Sequence, residues 1–335
     1  MKVFITGTAG FIGFHLAKLL LKDGYKVHGY DGMTDYYDVS LKHARHNILL
    51  KDPNFFGTEG MLEDDGKLDD IANKFKPDII IHLAAQAGVR YSLENPRAYI
   101  NSNIIGTFNV MEIARKLKVK HLLMSSSSSV YGANSKMPFT EIEKADTQLT
   151  MYAATKKANE SMAHSYSYLW KIPTTMFRFF TVYGPWGRPD MACFLFTKAI
   201  TEGRPIQVFN NGEMRRDFTF IDDIVNGIIK VVDKPAQKNN SWNAMEPDPG
   251  TSSAPYRIYN IGNNTPVALK DFIAILEKEI GIEAIKEYLP LQDGDVVATF
   301  ADIEDLRNDL GYQPLTNIAS GLKQFVEWYK EFYRA

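Results

Sequence analysis

Short apolar runs alternate with amphipathic segments along the first half of the chain. The runs are short enough for strands, and the segments between them repeat their apolar positions with the period of a helix. Alternation of this kind predicts β–α–β units and a parallel central sheet. The predicted strands lie at 2–6, 26–30, 79–83, 121–125 and 174–180. The predicted helices lie at 11–23, 68–75, 101–116 and 151–170.

The second half of the chain is less regular, and residues 181–224 mix strand, loop and helix patterns. Residues 235–256 are rich in Asn, Ser and Pro, which predicts a mobile surface loop. After this loop the pattern predicts a strand at 256–261, a helix at 269–281 and a closing amphipathic helix at 318–333. The chain therefore has a regular α/β half followed by a smaller, mixed part.

Composition narrows the classes of function. The 335 residues are 45% hydrophobic and 23% charged, as in an ordinary globular protein, and the formal net charge is −2. The absence of clustered Lys and Arg argues against a nucleic-acid partner. No apolar stretch reaches the length of about 18 residues that a membrane span needs, so no association with a membrane is expected.

Cysteine and histidine content bears on the compartment and on metal binding. Cys193 is the single cysteine, which excludes an internal disulfide and fits the reducing cytoplasm. His43 and His46 form a close pair, but no Cys or carboxylate stands near them at ligand spacing. We therefore expect a cytoplasmic protein without a metal site.

A glycine-rich turn joins the first predicted strand to the first predicted helix. Gly7 permits a tight turn, Gly10 lets the backbone approach a pyrophosphate, and Gly13 lets the helix pack closely on the strand. The helix N-terminus offers free N–H groups to the phosphates. About twenty residues on, Asp31 ends the second strand, where a carboxylate accepts ribose hydroxyls and repels a 2′-phosphate. The pattern favours NAD over NADP, with a structural turn and a solvated Asp as the alternatives.

Tyr152 and Lys156 stand four residues apart in a predicted helix and therefore share a face. A fixed ammonium stabilises a phenolate, so we expect Lys156 to lower the pKa of Tyr152 towards working pH. Upstream, the five serines at 125–129 end a strand and precede Val-Tyr-Gly at 130–132. One of these hydroxyls can hydrogen-bond a sugar oxygen during its oxidation. The alternatives are a chance pair on the helix and a polar turn after the strand.

The glycine triplet, the serine run before residues 130–132, and Tyr152 with Lys156 resemble extended short-chain dehydrogenases/reductases that act on nucleotide sugars. The resemblance covers nearly the whole chain. It implies that Ser127 is the catalytic hydroxyl, Tyr152 the base and Lys156 its partner, which also holds the nicotinamide ribose. Met61 departs from the pattern, because many relatives place an aspartate there for the adenine. The cofactor contacts that it implies are Gly7, Gly10, Phe11, Ile12, Gly13, Asp31, Leu62, Leu83, Ala84, Ala85, Asn103, Ser125, Tyr152 and Lys156.

The same resemblance implies the fold class. It is an α/β Rossmann fold with a doubly wound parallel sheet and a smaller, mixed C-terminal substrate-binding domain. The NAD-binding domain is expected at 1–180, with later returns near 220–235 and 256–262. The substrate-binding domain is expected at 181–219 and 263–335.

Residue types separate the three chemistries that this scaffold supports. A 4,6-dehydratase places an acid and a base at the end of the serine run, where Ser127, Ser128 and Ser129 offer no titratable group. Epimerisation needs a base for the 4-hydroxyl, a retained NAD and room for the keto sugar to rotate. Oxidative decarboxylation begins with the same oxidation at C4. Dehydration is therefore disfavoured.

The strings 84–92 and 179–191 resemble the corresponding stretches of UDP-glucuronate 4-epimerases. Thr181, smaller than the Asn usual in UDP-galactose epimerases, leaves room for a C6 carboxylate, and Arg188 can pair with that carboxylate bidentately. Arg90 is a second candidate, with a structural or phosphate-side role as its alternative. The substrate contacts that the resemblance implies are Gln86, Arg90, Ser127, Ser128, Ser129, Thr181, Arg188 and, at the nucleotide diphosphate, Arg216.

We therefore expect NAD-dependent 4-epimerisation of UDP-glucuronate to UDP-galacturonate through a 4-keto intermediate. Epimerisation of a neutral UDP-sugar and decarboxylation of UDP-glucuronate are the enzymatic alternatives. A catalytically silent protein that binds NAD as a sensor or scaffold is a further alternative, although it has no use for an activated phenolate. The resemblance also implies a homodimer in which each subunit pairs its helices at 101–116 and 151–170.

Overall fold

The computed structural model describes residues 1–292 and 296–334, which form helices and strands throughout both halves of the chain. The strands are β1 (Lys2–Thr6), β2 (Lys26–Asp31), β3 (Phe55–Glu59), β4 (Ile79–His82), β5 (His121–Ser125), β6 (Thr174–Phe179), β7 (Thr181–Tyr183), β8 (Ile206–Phe209), β9 (Arg215–Phe220), β10 (Tyr256–Ile261), β11 (Pro266–Ala268), β12 (Lys286–Leu289) and β13 (Ala298–Thr299). The α-helices are α1 (Phe11–Lys22), α2 (Val39–Leu49), α3 (Asp65–Phe75), α4 (Tyr91–Glu94), α5 (Pro96–Tyr99), α6 (Thr107–Leu117), α7 (Met151–Trp170), α8 (Ala192–Thr201), α9 (Ile221–Val232), α10 (Leu269–Ile280), α11 (Glu304–Leu310) and α12 (Ile318–Tyr333).

Seven parallel strands form the central sheet, in the order β10-β6-β5-β4-β1-β2-β3. Val3 of β1 lies between Val27 of β2 and Ile79 of β4 in the register. The strand order therefore reverses direction at β1 and β4. In open α/β sheets, ligands bind in the crevice beyond the carboxyl ends of strands at such a switch point.

Alternate residues of the central strands face two separate cores. On β1, Val3 and Ile5 belong to the core that contains residues of α1 and α9, whereas Phe4 belongs to the core that contains residues of α3, α6 and α7. A sheet buried on both faces has nearly continuous apolar strands, which is why residues 79–81 read Ile-Ile-Ile. These two layers of helices confirm the predicted doubly wound parallel sheet.

The second half of the chain supplies two smaller sheets. β9 pairs in parallel with β7 and β13 and antiparallel with β11, while β8 and β12 form a parallel pair. β10 departs from this arrangement, because it returns to the edge of the central sheet beside β6. The mixed second part is thus as expected, and the domain boundaries stay a prediction.

Three elements of the first half illustrate where the structure differs from what the apolar pattern predicts. The helix predicted at 101–116 begins as a π-helix at Ile100–Gly106 and becomes α-helical only at α6. The pattern misses α2, because its buried positions include Lys42 and Arg45 and its inner face does not read as apolar. It also misses β3, an edge strand on which Phe55 is the buried residue and no apolar alternation develops.

Between α9 and β10 the chain forms neither helix nor strand, as its Asn, Ser and Pro content predicts. Hydrogen bonds within the loop hold it on itself, and two of them show this. Trp242 Nε1 donates to the Asp248 carbonyl oxygen at 3.0 Å, and the Asn239 N–H donates to the Ser252 carbonyl oxygen at 2.7 Å. The mobility of the loop stays a prediction.

Candidate active site

Contacts that only glycine allows shape the turn between β1 and α1. Gly7 has a φ of +86°, and a Cβ there would lie 2.7 Å from the Ala84 nitrogen. A Cβ on Gly13 would lie 2.1 Å from the Gly7 carbonyl oxygen, so α1 starts directly against the turn. The N-cap of α1 is Gly10, and no side chain caps the first turn. Uncapped N–H groups at a helix N-terminus bind phosphate oxygens, so this cradle fits the pyrophosphate of a dinucleotide.

Asp31 stands at the end of β2, beside this turn. Its two carboxylate oxygens accept hydrogen bonds from the backbone N–H groups of Ala9 and Met33, each at 2.9 Å. These bonds fix the carboxylate at a cavity wall and leave further lone pairs for ribose hydroxyls. The arrangement fits the predicted ribose contact of NAD, and a negative charge at this point disfavours a 2′-phosphate.

One face of α7 carries three polar residues spaced by about one helical turn, Tyr152, Lys156 and Glu160. Lys156 Nζ donates to both the carbonyl oxygen and the hydroxyl oxygen of Ser125, each at 3.0 Å. Glu160 accepts a hydrogen bond from Ser126 Oγ at 2.6 Å. These contacts dock α7 on the carboxyl end of β5 and bring Tyr152 to the cavity wall.

A buried ion pair holds Glu160 in turn. Arg178 on β6 donates through Nε and Nη2 to the two carboxylate oxygens, each at 2.9 Å, and both side chains are almost fully buried. Burial raises the pKa of Glu160, but the charge and hydrogen bonds of Arg178 bring that pKa below its ordinary value. Glu160 therefore stays ionised and keeps the Ser126 hydroxyl oriented as a donor towards its carboxylate.

The pKa of Tyr152 moves in the direction opposite to our expectation. Burial raises it, and the hydrogen bond with Ser127 and the charge of Arg188 offset this only in part. Burial also lowers the pKa of Lys156 to about 7. The lowering that we expected from Lys156 is therefore not seen in the chain by itself, because burial outweighs the lowering of the Tyr152 pKa by Ser127 and Arg188. Further stabilisation of a phenolate has to come from a bound positive charge, such as the nicotinamide ring of NAD.

The other serines of the run face the cavity. Ser127 caps a 3₁₀ turn at Ser128–Tyr131, where its Oγ accepts a hydrogen bond from the Ser129 N–H at 3.2 Å. The same hydroxyl lies close enough to Tyr152 to lower the pKa of the phenol. Ser128 and Ser129 line the cavity beside it. The predicted catalytic pair, Ser127 and Tyr152, is thus brought together.

Asn103 lies behind the cavity wall instead of on it, and its predicted contact with the cofactor stays a prediction. It is 1% exposed. Its amide oxygen accepts from the Gln86 N–H at 2.8 Å, and its amide nitrogen donates to the Gln86 carbonyl and to Thr155 Oγ1. Because protein groups take up both ends of the amide, Asn103 positions the backbone of Gln86. The π-helix Ile100–Gly106, a form common at functional sites, supplies this residue.

Arg188 lines another part of the cavity and is paired within the protein. Its Nε and Nη2 donate to the two carboxylate oxygens of Asp190, and the Nε–Oδ1 distance is 3.0 Å. Tyr36 Oη donates to the same carboxylate at 3.1 Å. Burial raises the pKa of Asp190, but the Arg188 charge brings it below the ordinary value, so the pair is ionised. Thr181, at the start of β7, lines the same cavity.

Two further arginines from the predicted set, Arg90 and Arg216, border the cavity. The guanidinium of Arg90 lies over the ring of Phe209, 4.9 Å from its centroid. Arg216 on β9 donates through Nη1 to the carbonyls of Arg215 and Val297, each at 3.1 Å. The predicted roles of Arg90 and Arg216 towards the substrate stay predictions.

Most of these groups border one cavity of about 1270 Å³. That volume exceeds the ~300–1,000 Å³ of ordinary small-molecule sites, as two ligands bound side by side require. Asn103 is the predicted site residue that does not line it. The predicted residues that do are Gly7, Gly10, Phe11, Ile12, Gly13, Asp31, Leu62, Leu83, Ala84, Ala85, Gln86, Arg90, Ser125, Ser127, Ser128, Ser129, Tyr152, Lys156, Thr181, Arg188 and Arg216.

The sequence reasoning misses many of the residues that line the cavity, and Tyr36, Lys42 and Asp190 are polar examples. The position of Asp190, two residues after Arg188, is a signal that would have identified it as the arginine's partner. Nothing comparable marks Tyr36 and Lys42, since they reach the cavity from α2 and the loop before it, a region that the apolar pattern leaves without structure.

A model of the NAD dependent epimerase/dehydratase family matches residues 3–262. The chain belongs to this family. The match spans the glycine turn, the serine run and α7, and it confirms the predicted resemblance and the prediction of an NAD-dependent enzyme. The family match does not identify the substrate. The substrate has to be inferred from similarity to individual members of the family and from the residues of the site.

Relatives narrow the choice within the NAD-dependent epimerase/dehydratase family. The chain is 51% identical over 338 residues to the probable UDP-glucuronate 4-epimerase of Rhizobium meliloti (strain 1021), covering 100% of this chain and 98% of that protein. It is also similar to the structure of UDP-glucuronic acid 4-epimerase from Bacillus cereus in complex with UDP-glucuronic acid and NAD. That likeness has a TM-score of 0.88 at 31% identity, covering 99% of this chain and 100% of the other.

The fold alone does not decide the sugar. UDP-glucose 4-epimerase from Thermotoga maritima, solved with UDP-glucose, gives a TM-score of 0.86 at 26% identity, covering 99% of this chain and 100% of the other. This score is almost equal to that of the UDP-glucuronic acid enzyme, so similarity of the backbone does not distinguish the two kinds of epimerase. The side chains around the sugar must therefore carry the distinction.

Proposed function

We propose that this member of the epimerase/dehydratase family interconverts UDP-glucuronate and UDP-galacturonate by NAD-dependent 4-epimerisation. One observation carries the choice of sugar. Arg188 lines the cavity that contains Tyr152, close enough for its charge to lower the pKa of the phenol. The carboxylate of a uronate is attached to C5, next to the reacting C4, so a cation beside the base lies where that carboxylate needs it. The likeness to two UDP-glucuronate 4-epimerases supports the same substrate.

The side chains around Tyr152 divide the proton chemistry between them. Tyr152 takes the proton of the 4-hydroxyl and later returns it, while Ser127 hydrogen-bonds the sugar oxygen and the phenol. Lys156, fixed on Ser125, holds the nicotinamide ribose and the end of α7 in place. NAD, when bound, supplies a reversible hydride acceptor. The cavity leaves room for the keto sugar to rotate and present its other face.

Arg188 and Thr181 have a second task under this proposal. Oxidation at C4 turns a uronate into a β-keto acid, which loses CO₂ most readily when the C5–C6 bond stands perpendicular to the carbonyl plane. A carboxylate held by an arginine and a hydroxyl stays charged and out of that alignment. The same contacts therefore select the sugar and suppress the competing decarboxylation.

Asp190 favours a second candidate function, epimerisation of a neutral UDP-sugar. Its carboxylate already offsets the charge of Arg188, which reduces the cost of placing a neutral CH₂OH group beside the guanidinium. Proton NMR of the purified protein with UDP-glucuronate, and in parallel with UDP-glucose, distinguishes the candidate functions. UDP-galacturonate from the first tube supports the proposal. A pentose product identifies a decarboxylase, and turnover of UDP-glucose alone identifies a neutral-sugar epimerase.

Arg188→Ala tests the carboxylate contact directly. Removing one partner of a buried charge pair costs roughly 3–5 kcal/mol, so kcat/KM for UDP-glucuronate should fall by about two to four powers of ten, and the preference over UDP-glucose should narrow. Some pentose should appear, because the carboxylate is no longer held. The measurements are kcat/KM for both sugars and product identity by NMR. An unchanged preference would move the assignment to Arg90.

Two companion variants make this test specific. Arg188→Ala leaves Asp190 without its partner, and a bare carboxylate repels the substrate on its own account. The double variant Arg188→Ala/Asp190→Asn removes that repulsion, so any loss that persists belongs to the missing cation. Arg307→Ala is the surface control, because Arg307 is exposed, pairs with Glu304 and lies outside the cavity lining. It should retain normal turnover.

We also propose a cytoplasmic homodimer and the domain boundaries given above. Exposed apolar side chains on the expected pairing helices support the dimer, among them Phe108 on α6 and Leu169 and Trp170 on α7. Cys193 is a free, buried thiol, as the reducing cytoplasm allows. No helix in the described part of the chain combines the length and the apolar character of a membrane crossing. Light scattering of the wild type and of Phe108→Glu tests the dimer, since a charge in the pairing face should yield the monomer mass.

A further inference from the structure

The segment before Arg188 has a backbone conformation that its own sequence does not explain. Trp186 has a φ of +62°, in the left-handed region that a bulky side chain rarely adopts. Such conformations persist only where the surrounding structure over-determines them, and they concentrate at functional sites. The contacts of residues 185–187 therefore decide where Arg188 stands.

Three successive carbonyls of this segment are held by side chains from the dinucleotide-binding half. His15 on α1 bonds the Pro185 carbonyl oxygen through Nε2 at 2.9 Å. Arg45 on α2 donates through Nη2 to the carbonyl oxygens of Trp186 at 2.6 Å and Gly187 at 3.2 Å. Burial lowers the pKa of His15 to about 4, so the ring is neutral at neutral pH and Nε2 carries its proton towards the carbonyl.

The second terminal nitrogen of the Arg45 guanidinium, Nη1, reaches the glycine turn. Nη1 donates to the carbonyl oxygen of Ala9 at 2.8 Å and to Tyr37 Oη at 2.9 Å. Ala9 lies between Gly7 and Gly10, and its N–H donates to Asp31. One guanidinium thus joins the turn that cradles the pyrophosphate to the backbone that carries Arg188.

Arg45 is also unusual energetically. Its side chain is 0% exposed, and no carboxylate of the described residues forms an ion pair with it. By contrast Arg178, equally buried, has the carboxylate of Glu160. A buried charge without a counter-ion is costly, and its four acceptors here are oxygens of the two segments that it joins. Packing of an apolar core alone does not call for the charged guanidinium of Arg45 at this position.

We propose that Arg45 is a positioning residue that couples the dinucleotide turn to the grip of Arg188 on the sugar carboxylate. This inference rests on the proposed function. A turn ordered by NAD fixes the Ala9 carbonyl, Arg45 transmits that order to residues 186–187, and Arg188 is then held for the uronate. Arg45 acts on the discrimination between charged and neutral sugars, because the neutral sugar has no carboxylate for Arg188 to bind. By linkage, NAD and the uronate strengthen each other's binding through this contact.

The test compares affinities instead of rates, in a Tyr152→Phe background that blocks interconversion of the ligand. Dissociation constants of UDP-glucuronate and UDP-glucose are measured by calorimetry on NAD-saturated protein, with and without Arg45→Met. We expect Arg45→Met to weaken UDP-glucuronate about tenfold, within the usual range of coupling between sites, and UDP-glucose less than about twofold. Equal weakening of both sugars, as a general structural role gives, overturns the inference, and so does no change.

A second variant covers the case in which Arg45→Met does not fold. His15→Phe keeps the ring among Phe11 and Phe14 but removes the bond to the Pro185 carbonyl. It should narrow the preference for UDP-glucuronate over UDP-glucose by about fivefold, the lower limit of such couplings. His164→Phe is its matched control, because His164 loses a similar bond, to Ser252, outside the cavity lining. An unchanged preference in His15→Phe overturns the inference.

The background protein separates this inference from the function on which it rests. If it binds UDP-glucose as tightly as UDP-glucuronate, the proposed substrate is wrong and the coupling falls with it. If it prefers the uronate and Arg45→Met keeps that preference, the function stands and only the coupling is wrong.

Discussion

Lys156 shows how burial changes the role of a residue that the spacing identifies correctly. Its ammonium is 3% exposed and bonded to Ser125, and burial lowers its pKa to about 7. A lysine half-neutral at pH 7 is a weak electrostatic partner for Tyr152, whose own pKa burial raises. Lys156 therefore serves first as an anchor for α7, and activation of the base depends on the charge brought by the cofactor.

Tyr152→Phe removes the group placed to take the 4-hydroxyl proton and leaves the dinucleotide turn untouched. We expect kcat to fall by about 10²–10⁴-fold, the usual contribution of a general base, while NAD binding is retained. Steady-state turnover of UDP-glucuronate and the NAD content of the protein are the measurements. Tyr168→Phe, an exposed position on the same helix, is the matched control and should stay at wild-type activity. Near-normal turnover of Tyr152→Phe would remove Tyr152 from the mechanism.

At the scale of single residues, spacing predicts proximity but not direction. Tyr152 and Lys156 share a face of α7, and Ser127 meets Tyr152, as the pattern indicates. The position of Asn103 in the chain does not show which side of the cavity wall its amide faces, so its contact with the cofactor stays a prediction. The direction of the Tyr152 pKa could not be predicted for a related reason, since the cost of removing a phenolate from water depends on burial that the sequence does not display.

Among the elements, the turn from β1 into α1 tolerates substitution of its residues least. Gly13→Ala would place a methyl group 2.1 Å from the Gly7 carbonyl oxygen, which forces the turn and the helix apart. Overpacking typically costs about 1–3 kcal/mol, so NAD should bind about tenfold more weakly or worse. The bound NAD of purified protein and its dissociation constant are the measurements.

Gly66→Ala is the control for this substitution. Gly66 lies in α3, where an added Cβ would meet a single atom, Asp64 Oδ1, at 3.9 Å. Alanine is also the better helix former, so NAD binding should be unchanged and stability equal or slightly higher. Equal NAD binding by Gly13→Ala and Gly66→Ala would contradict the packing role given to Gly13.

The elements that the apolar pattern misses share one physical cause. α2 buries Lys42 and Arg45 through hydrogen bonds instead of apolar contacts, so no period of 3.6 residues marks it. β3 is bounded by solvent on its outer edge. The small sheets depend on pairings between distant segments, such as β9 with β7 and β13, which local patterns do not specify. Strands buried on both faces, by contrast, can be recognised in the sequence as nearly continuous apolar runs.

For the whole molecule, retention of the hydride predicts retention of the cofactor. An epimerase returns its hydride to the sugar, so NAD does not have to leave the cavity between turnovers. We expect the protein to purify with NAD bound, or to need only catalytic amounts of it. Absorbance of NADH during turnover is the measurement. Accumulation of free NADH in step with product would identify a dehydrogenase.

Stability should depend on pH through Glu141, which joins the loop after the serine run to the central sheet. Glu141 is 2% exposed and accepts the Asn260 N–H of β10 at 2.6 Å. Burial raises its pKa from 4.5 to about 7. Between these values the native state binds more protons than the unfolded state, so this group's contribution falls as pH rises from about 4.5 to 7 and stays low above 7.

Glu141→Gln isolates that contribution, because the amide oxygen still accepts the Asn260 bond and does not ionise. The free energy of unfolding of the variant, relative to the wild type, should rise by roughly 2–3 kcal/mol between pH 4.5 and 8. Urea denaturation at a series of pH values is the measurement. A difference that is flat across this range would show that Glu141 titrates normally.

The return of β10 to the central sheet orders events during synthesis of the chain. β6 pairs with β5 on one side, but its other edge waits for β10, and all of β7, β8 and β9 lie between them. A nascent chain from which the glycine turn, the serine run and α7 have emerged therefore has an incomplete sheet with β6 at an open edge. Such an edge can pair with strands of other chains. Newly made chains are exposed to this hazard until Tyr256–Ile261 leaves the exit tunnel, which makes that interval the one in which a chaperone has most to protect.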